Sequence, residues 1–382
     1  MPATYDAGQT EGEVDVAAEG AGRIERAQES MAATGVDLLL VGPSADLRYL
    51  IGYHALALER LTLLVVPADG EAQLVVPELE VSRARTQRAD EHATIHAWAE
   101  HEDPMALVHS LVGGTRGATY AVQDRLWASF LLQLQERLDP GEWVAASQVM
   151  RELRIRKDAD EVAALRDAGK AIDAVHARIP ELLRPGRTER EVGRDISELI
   201  LEDHDEVNFV IVASGPNGAS PHHETGERTI EDGDAVVIDI GGTRRGYCSD
   251  MTRNYVVGRT PEAYRELHDV LLAAQRAAVE AVRPGVSAED VDRAARSVIT
   301  DAGFGEQFLH RTGHGIGIEE HEEPWIVAGN DLELEPGMAF SVEPGIYVEG
   351  RYGARIEDIV VVTDDGVERL NTLDRELVEV AS

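Results

Sequence analysis

The segment RPGRTEREVGRDISELI, beginning at Arg184, recurs as RPGVSAEDVDRAARSVI, beginning at Arg283, 99 residues later. Self-similarity at a fixed offset points to a fold assembled from two like halves. In each copy an Arg-Pro-Gly turn precedes a residue suited to cap a helix, Thr188 or Ser287. An acid three residues on, Glu191 or Asp290, completes a capping-box pattern. The register continues, because His222 falls on His321 at the same offset. After a short insertion, EDGDAVVID ending at Asp239 aligns with EPGMAFSVE ending at Glu343, and a further insertion brings Asp250 onto Glu357. Each half thus contributes one histidine and two carboxylates, and a pseudo-two-fold axis would gather them at a shared centre.

The duplicated part is preceded by a stretch of different character. From Ile24 to about Val149, helix-like segments alternate with short apolar runs over Val36 to Val41, Leu61 to Val66 and Leu74 to Val76, and Leu126 to Leu138 reads as a helix. This is the pattern of an α/β domain. Pro67-Ala68-Asp69-Gly70, between two apolar runs, carries hairpin-turn chemistry. No nucleophile elbow, phosphate loop or metal-binding cluster occurs in this half, which suggests scaffolding, assembly or closure of a pocket. The stretch from Met150 reads as a connector into a long amphipathic helix. Three segments are therefore expected: an acidic mobile tail over residues 1–22, an accessory domain over 23–152 and a catalytic domain over 153–382.

With 382 residues, two domains are the default. The 71 acidic residues against 36 basic ones give a formal charge of -35, which disfavours nucleic acid and anionic membrane as partners. Only two of the basic residues are lysines, Lys157 and Lys170. Such a surface points to a high-salt interior, the setting of a halophile, in which a short Debye length relieves repulsion among carboxylates, so the fold is expected to need salt. A lone cysteine, Cys248, fits a reducing compartment. The amino terminus shows neither a basic nor an apolar leader region, and no apolar run approaches the length of a membrane span, so a cytoplasmic location is expected.

Asp239 lies inside AVVIDIGG, a run of strand formers, where an ionised carboxylate requires a positive partner. Asp250 follows across GGTRRG in a second strand-like run, and folding the two as a hairpin would bring the acids nearly opposite one another, an arrangement that a cation would relieve. Glu343 stands in SVEPG, read as a strand ending in a Pro-Gly turn. Glu357 leads the apolar strand of ARIEDIVVV. His314, in RTGHGIG, has glycines on both sides that permit close approach of backbone and ligand. Asp239, Asp250, His314, Glu343 and Glu357 together form an oxygen-rich set suited to two divalent ions. Taken singly, each of these residues is equally compatible with a structural role. Cys248 should share a strand face with Asp250 yet reads as a packed residue, and His223 is expected to point away from its neighbour His222.

DIGG with Asp239, SDMTR with Asp250, HRTGHGIG with His314, EPG with Glu343 and RIED with Glu357 resemble the five-ligand signature of the pita-bread (M24) metallopeptidases, over roughly residues 150 to 380. The resemblance implies an α/β (α+β) protein with a creatinase/prolidase-like amino-terminal domain and a pita-bread catalytic domain. Pro221-His222-His223 and HEEP with His321 are similar to elements of the proline-directed branch, the Xaa-Pro dipeptidases and aminopeptidases P. In that branch His222, His321 and Glu343 are implied to be catalytic, and His310, Tyr347 and Arg355 to be substrate-side residues.

The implied reaction is hydrolysis of the Xaa-Pro bond, in dipeptides or at peptide amino termini, by a water bridging two divalent metals, with Mn²⁺ or Co²⁺ favoured and Fe²⁺ or Zn²⁺ tolerated. A small peptide is the implied partner, and family habit implies a homodimer. Three other readings remain open: a creatinase-like hydrolase or a lyase on the same fold, a peptidase of non-proline specificity, and a peptide-binding module of the histone-chaperone type.

Overall fold

A computed structural model describes residues 22–113 and 116–381. The acidic stretch expected over residues 1–22 lies outside them except for Gly22. The chain divides between Met150 and Arg151 into two compact units.

The first unit runs α1 (Arg23–Thr34), β1 (Leu38–Val41), α2 (Ala45–Ile51), β2 (Leu63–Pro67), β3 (Gln73–Pro77), α3 (Val81–Thr86), β4 (Thr94–Trp98), α4 (Pro104–Val112), β5 (Thr119–Val122), α5 (Ala128–Arg137) and β6 (Glu142–Ala145). One six-stranded sheet has the order β4-β3-β2-β1-β5-β6. Strands β1, β2 and β3 pair antiparallel, and the remaining neighbours are parallel. The Pro67–Gly70 turn closes the β2–β3 hairpin. Strand β1, LLLV, is buried throughout, as a central strand with both faces covered should be. Leu40, Leu63, Val65, Val108 and Leu134 are core residues here. Each such side chain contributes about 1.5–3 kcal/mol on burial.

The second unit opens with the last residues of α6 (Ser147–Arg154). It comprises α7 (Ala159–Leu182), α8 (Glu189–Ile200), β7 (Glu206–Ser214), β8 (Ala235–Arg244), β9 (Tyr247–Val257), α9 (Glu262–Ala281), α10 (Ala288–Asp301), β10 (Gly313–Gly315), β11 (Glu322–Ile326), β12 (Ala339–Val342), β13 (Gly345–Val348), β14 (Tyr352–Arg355), β15 (Asp358–Val362), β16 (Val367–Arg369) and β17 (Val378–Val380). The strands form a sheet β17-β9-β8-β7, a sheet β11-β10-β12-β15-β16 and the hairpin β13-β14.

The sequence repeat is also a spatial repeat. Gly186 N donates to Ile230 O at 2.9 Å, and Gly285 N donates to Leu334 O at 2.9 Å. These glycines have φ of 91° and 82°, a region that side-chain-bearing residues rarely adopt. Helix α8 buries Val192, Ile196 and Ile200, and α10 buries Val291, Ala295 and Ile299, at the i, i+4, i+8 spacing of a helix face. The first trio packs with Val236, Ile238 and Ile240 of β8. The second packs with Phe340 and Val342 of β12 and Val360 of β15.

The caps differ between copies. Thr188 and Glu191 form a reciprocal capping box. Ser287 accepts from Asp290 N, but the expected return bond is absent there. Asp290 is one methylene shorter than glutamate, and its carboxylate pairs with Arg293 instead.

Candidate metal centre

Strands β8 and β9 form a hairpin closed by Arg244 opposite Tyr247, with Arg245 and Gly246 at φ of 49° and 90° in the turn. Positive φ at both central residues is the signature of the tight two-residue hairpin turn. This turn sets the register, and it places Asp239 opposite Thr252 and Asp250 opposite Gly241. The two acids are therefore diagonal neighbours, a correction to the nearly opposite placement expected from their spacing.

The other two acids stand at strand ends. Glu343 follows β12 directly, and its amide donates to Thr312 O at 2.8 Å. Pro344-Gly345 does not turn the chain as expected but passes it into β13. Glu357 precedes β15. Its amide donates to Thr252 O at 3.2 Å, and its Oε2 accepts from Thr252 Oγ1 at 2.8 Å. Thr252 of the first copy thereby fixes an acid of the second.

His314 occupies β10 between two glycines. A Cβ on Gly313 would lie 1.8 Å from Ser341 O, and one on Gly315 would lie 2.2 Å from Glu323 O. These glycines admit the neighbouring strands, which is the close backbone approach expected of them.

The five residues meet at a cavity of about 480 Å³ that all of them line. One ligand atom each from Asp250, His314 and Glu357 lie within 4.8 Å of one another. His314 Nε2 is 3.2 Å from Glu343 Oε1 and 3.8 Å from Asp250 Oδ2. Asp239 Oδ2 accepts from Arg355 Nη2. Asp239 Oδ1 and Asp250 Oδ1 are buried with no hydrogen-bond partner among the described residues. Two orphaned carboxylate oxygens beside an imidazole constitute a donor set that fits hard or borderline divalent cations.

The electrostatics agree with that fit. Burial, followed by neighbouring Glu357 and Asp239, pushes the Asp250 carboxyl well above the ordinary range. Burial with Glu343 and Asp239 does the same to Glu357. Glu343 is raised to about 7, chiefly by burial. Burial without added positive charge favours the protonated form of these carboxyls, and a bound cation would favour the carboxylates. Burial lowers His314 to about 3, so its imidazole is neutral, and its Nδ1 lies 3.1 Å from Gly315 O, which leaves Nε2 for a ligand.

His222, His310, His321 and Arg355 also line the cavity, whereas Tyr347 does not. Tyr347 is buried behind it, its hydroxyl 2.9 Å from His310 Nε2 and 2.9 Å from Arg355 Nη1. Burial lowers His310 to about 4. His223 faces away from the cavity and pairs with Glu189 at 2.8 Å. The segment is a turn and not a strand, so alternation of strand faces is not the cause. Cys248 is packed against Asn208, Thr243 and Ile318, with burial pushing its thiol up to about 12. Reasoning from sequence missed four lining residues, Phe209, Ile211, Arg311 and Glu320. Arg311 and Glu320 adjoin His310 and His321, and that adjacency was the available signal.

Residues 163–364 match metallopeptidase family M24, and residues 23–156 match the creatinase/prolidase N-terminal domain. The probable dipeptidase PepE of Mycobacterium tuberculosis is 51% identical over 361 residues, spanning 94% of this chain and 96% of that protein. The Xaa-Pro dipeptidase of Pyrococcus furiosus is 34% identical over 358 residues, spanning 93% and 99%. The crystal structure of dipeptidase PepE from Mycobacterium ulcerans superposes with a TM-score of 0.90 at 49% identity, covering 97% of this chain and all of that one. A duplicated unit that converges four acids and an imidazole, matched over nearly its whole length by such relatives, is a metallopeptidase of family M24 with a creatinase/prolidase N-terminal domain.

Proposed function

We propose that the chain hydrolyses the bond preceding proline, in Xaa-Pro dipeptides or at peptide amino termini, using two divalent metal ions. The observation that carries this reading is the meeting of Asp239, Asp250, His314, Glu343 and Glu357 at one cavity, with unpartnered oxygens on Asp239 and Asp250. The relative named Xaa-Pro dipeptidase supports the proline preference. These five residues hold the ions. A bound pair of divalent ions supplies an acidified water and polarises the scissile carbonyl.

The remaining chemistry belongs to side chains. Glu343, whose carboxyl titrates near neutrality before metal is added, takes the proton from the attacking water. His222 and His321, one from each copy, serve the developing oxyanion and the departing imino nitrogen. His310 contacts the substrate, and its ring is held by the Tyr347 hydroxyl. Tyr347 and Arg355 position these groups, with Arg355 anchoring Asp239.

Manganese or cobalt is the preferred metal in this reading, and iron or zinc would also suit the donor set. The subunits form a homodimer to which the amino-terminal unit contributes. The protein works in the cytoplasm, where the buried thiol of Cys248 stays reduced. Its acidic surface makes folding dependent on salt.

The deciding experiment is hydrolysis of Ala-Pro, Ala-Pro-Ala and Met-Ala at ~1 M salt with Mn²⁺ or Co²⁺, a concentration at which surface repulsion is screened. An Asp250→Ala variant provides the blank. Cleavage of Ala-Pro is expected, and alanine release from the tripeptide as well would mark an aminopeptidase P. Silence on all three with two metals bound would favour a creatinase-like hydrolase or a lyase, and cleavage of Met-Ala alone a different peptidase. Full folding and activity in dilute buffer would refute the salt requirement.

A further inference from the structure

Four acids, Glu319, Glu320, Glu322 and Glu323, stand in one short stretch of chain where β10 passes into β11. Three of them are paired. Glu319 meets Arg154 at 2.7 Å, Glu322 meets Lys157 Nζ at 2.6 Å, and Glu323 meets Arg151 at 2.6 Å. Glu320 has no cation within ion-pair distance among the described residues. Burial raises its pKa, a hydrogen bond with Asn208 offsets this in part, and the charge of Asp239 adds to the rise. Glu320 lines the catalytic cavity, whose two arginines are engaged elsewhere. Arg355 donates to Asp239, and the guanidinium carbon of Arg311 stands 4.3 Å from the ring centroid of Trp325.

An apolar wall reaches Glu320 from β7. Asn208, the hydrogen-bond partner of Glu320, directly precedes Phe209, and Phe209 and Ile211, two residues apart on that strand, both line the cavity. The Phe209 ring is seated over Gly241, where a Cβ would lie 2.5 Å from its Cε1. An apolar wall that ends at an unpaired, half-buried carboxylate matches a lysine or arginine side chain, a hydrocarbon stem capped by a cation. The α-ammonium of a substrate matches it less well. A single carbon separates that group from the scissile carbonyl, so it stays at the metal-binding acids, and Glu320 is not among the residues whose ligand atoms converge there.

We propose that Glu320 binds the cationic side chain of a lysine or arginine standing before the scissile bond, so that the enzyme favours substrates with a basic amino-terminal residue. This rests on the peptidase reading above and sharpens it by naming a substrate class. A partly desolvated carboxylate without a cation is costly; a basic side chain removes that cost, whereas an acidic one adds repulsion. The pair forms partly out of water, so the preference persists at salt concentrations that erase surface pairs.

The test compares kcat/KM for Lys-Pro against norleucine-Pro, and for Glu-Pro against Gln-Pro, in the metal-loaded native enzyme and in Glu320→Gln and Glu320→Lys variants, with bound metal measured in each. Calorimetric titration with lysine and norleucine, which share the α-ammonium and α-carboxylate, gives a readout independent of turnover. The native enzyme is expected to prefer Lys-Pro to norleucine-Pro by about 10-fold, the low end of the worth of a hydrogen bond to a charged group, because Glu320 is only half-buried. In Glu320→Gln this ratio falls toward one through KM, and in Glu320→Lys it reverses while Glu-Pro gains on Gln-Pro. Equal use of Lys-Pro and norleucine-Pro by the native enzyme would overturn the proposal, as would a lysine preference that survives Glu320→Gln or the loss of a bound metal in that variant. If the native enzyme cleaves none of the four, the peptidase reading fails. In that case tighter binding of lysine than of norleucine, abolished in Glu320→Gln, would still uphold the role of Glu320, and equal binding would end it.

Discussion

Glu189 Oε2 accepts a hydrogen bond from His223 Nε2 at 2.8 Å, and the carboxylate is completely buried. Its Oε1 accepts from Ser214 N at 2.8 Å, Ser214 Oγ at 2.7 Å and Asn217 Nδ2 at 2.9 Å. Burial acts to raise its pKa, but these donors outweigh it and hold the carboxyl below the ordinary range. One acid at the start of α8 thus holds the loop on both sides of His222, at Asn217 before it and at His223 directly after it. Glu189→Gln replaces an acceptor oxygen with an amide nitrogen that faces donors, so a loss of about 2–4 kcal/mol in urea unfolding is expected. A parallel fall in kcat/KM is expected from misplacement of His222, and unchanged kinetics would show that the loop holds its shape without this anchor.

Arg253 and Asp358 pair at 2.6 Å beneath the site, both buried. Arg253 also donates to the carbonyl of Glu357 at 2.6 Å and to that of Leu373 at 3.0 Å. Arg253→Met leaves Asp358 beside Arg369 at 3.1 Å and Arg375 at 3.8 Å but removes the buried donors to two carbonyls, so a loss of about 2–4 kcal/mol is expected in denaturant titration.

Metal removal should make stability depend on pH with a defined sign. The carboxyls of Asp250, Glu343 and Glu357 are raised by burial and mutual repulsion, Glu343 to about 7. A carboxyl with a raised folded pKa binds more protons folded than unfolded, so stability falls as pH rises from the unfolded value of about 4.3. Buried imidazoles such as His310 and His314, held low, act in the opposite direction, so the expected readout is the Tm gap between Mn²⁺-loaded and chelated protein, which should widen between about pH 4.5 and 7. A gap that stays constant over this range would contradict this.

Glu322 gives the opposite sign. It is buried against Lys157 Nζ at 2.6 Å, and Arg154 also pairs with it. Burial alone would raise its pKa, but Lys157 and Arg154 outweigh that effect and hold it below the ordinary range. Its contribution is complete above the unfolded carboxyl pKa of about 4.3 and is lost as pH falls through the lower folded value. Glu322→Gln should lower stability at pH 7 and flatten the acid limb of the Tm profile below about pH 4. Because His321 precedes Glu322 in the chain, the variant also reports whether this buried pair steadies the cavity wall.

The duplication, the capped helices and the residues that could bind metal were legible in the linear chain because each depends on local spacing. Arg-Pro-Gly turns, i, i+4 apolar faces and an acid within a strand-forming run all keep their meaning wherever the chain goes. Long-range packing decided the rest. The Arg245–Gly246 turn set Asp239 and Asp250 diagonally, a matter of hairpin register that composition alone leaves open. Glu189 and Asp292 look like ordinary first-turn and helix-face acids, yet one anchors the His222 loop and the other accepts from Thr312 N and Oγ1 ahead of His314. Arg311 and Arg355 are equivalent by type, and only the fold committed one to Asp239 and left the other stacked on Trp325. Side-chain identity determined which charges and donors this protein carries; tertiary structure decided which were satisfied internally, because a hydrogen bond depends on distances of a few ångströms between residues that lie well apart in the chain.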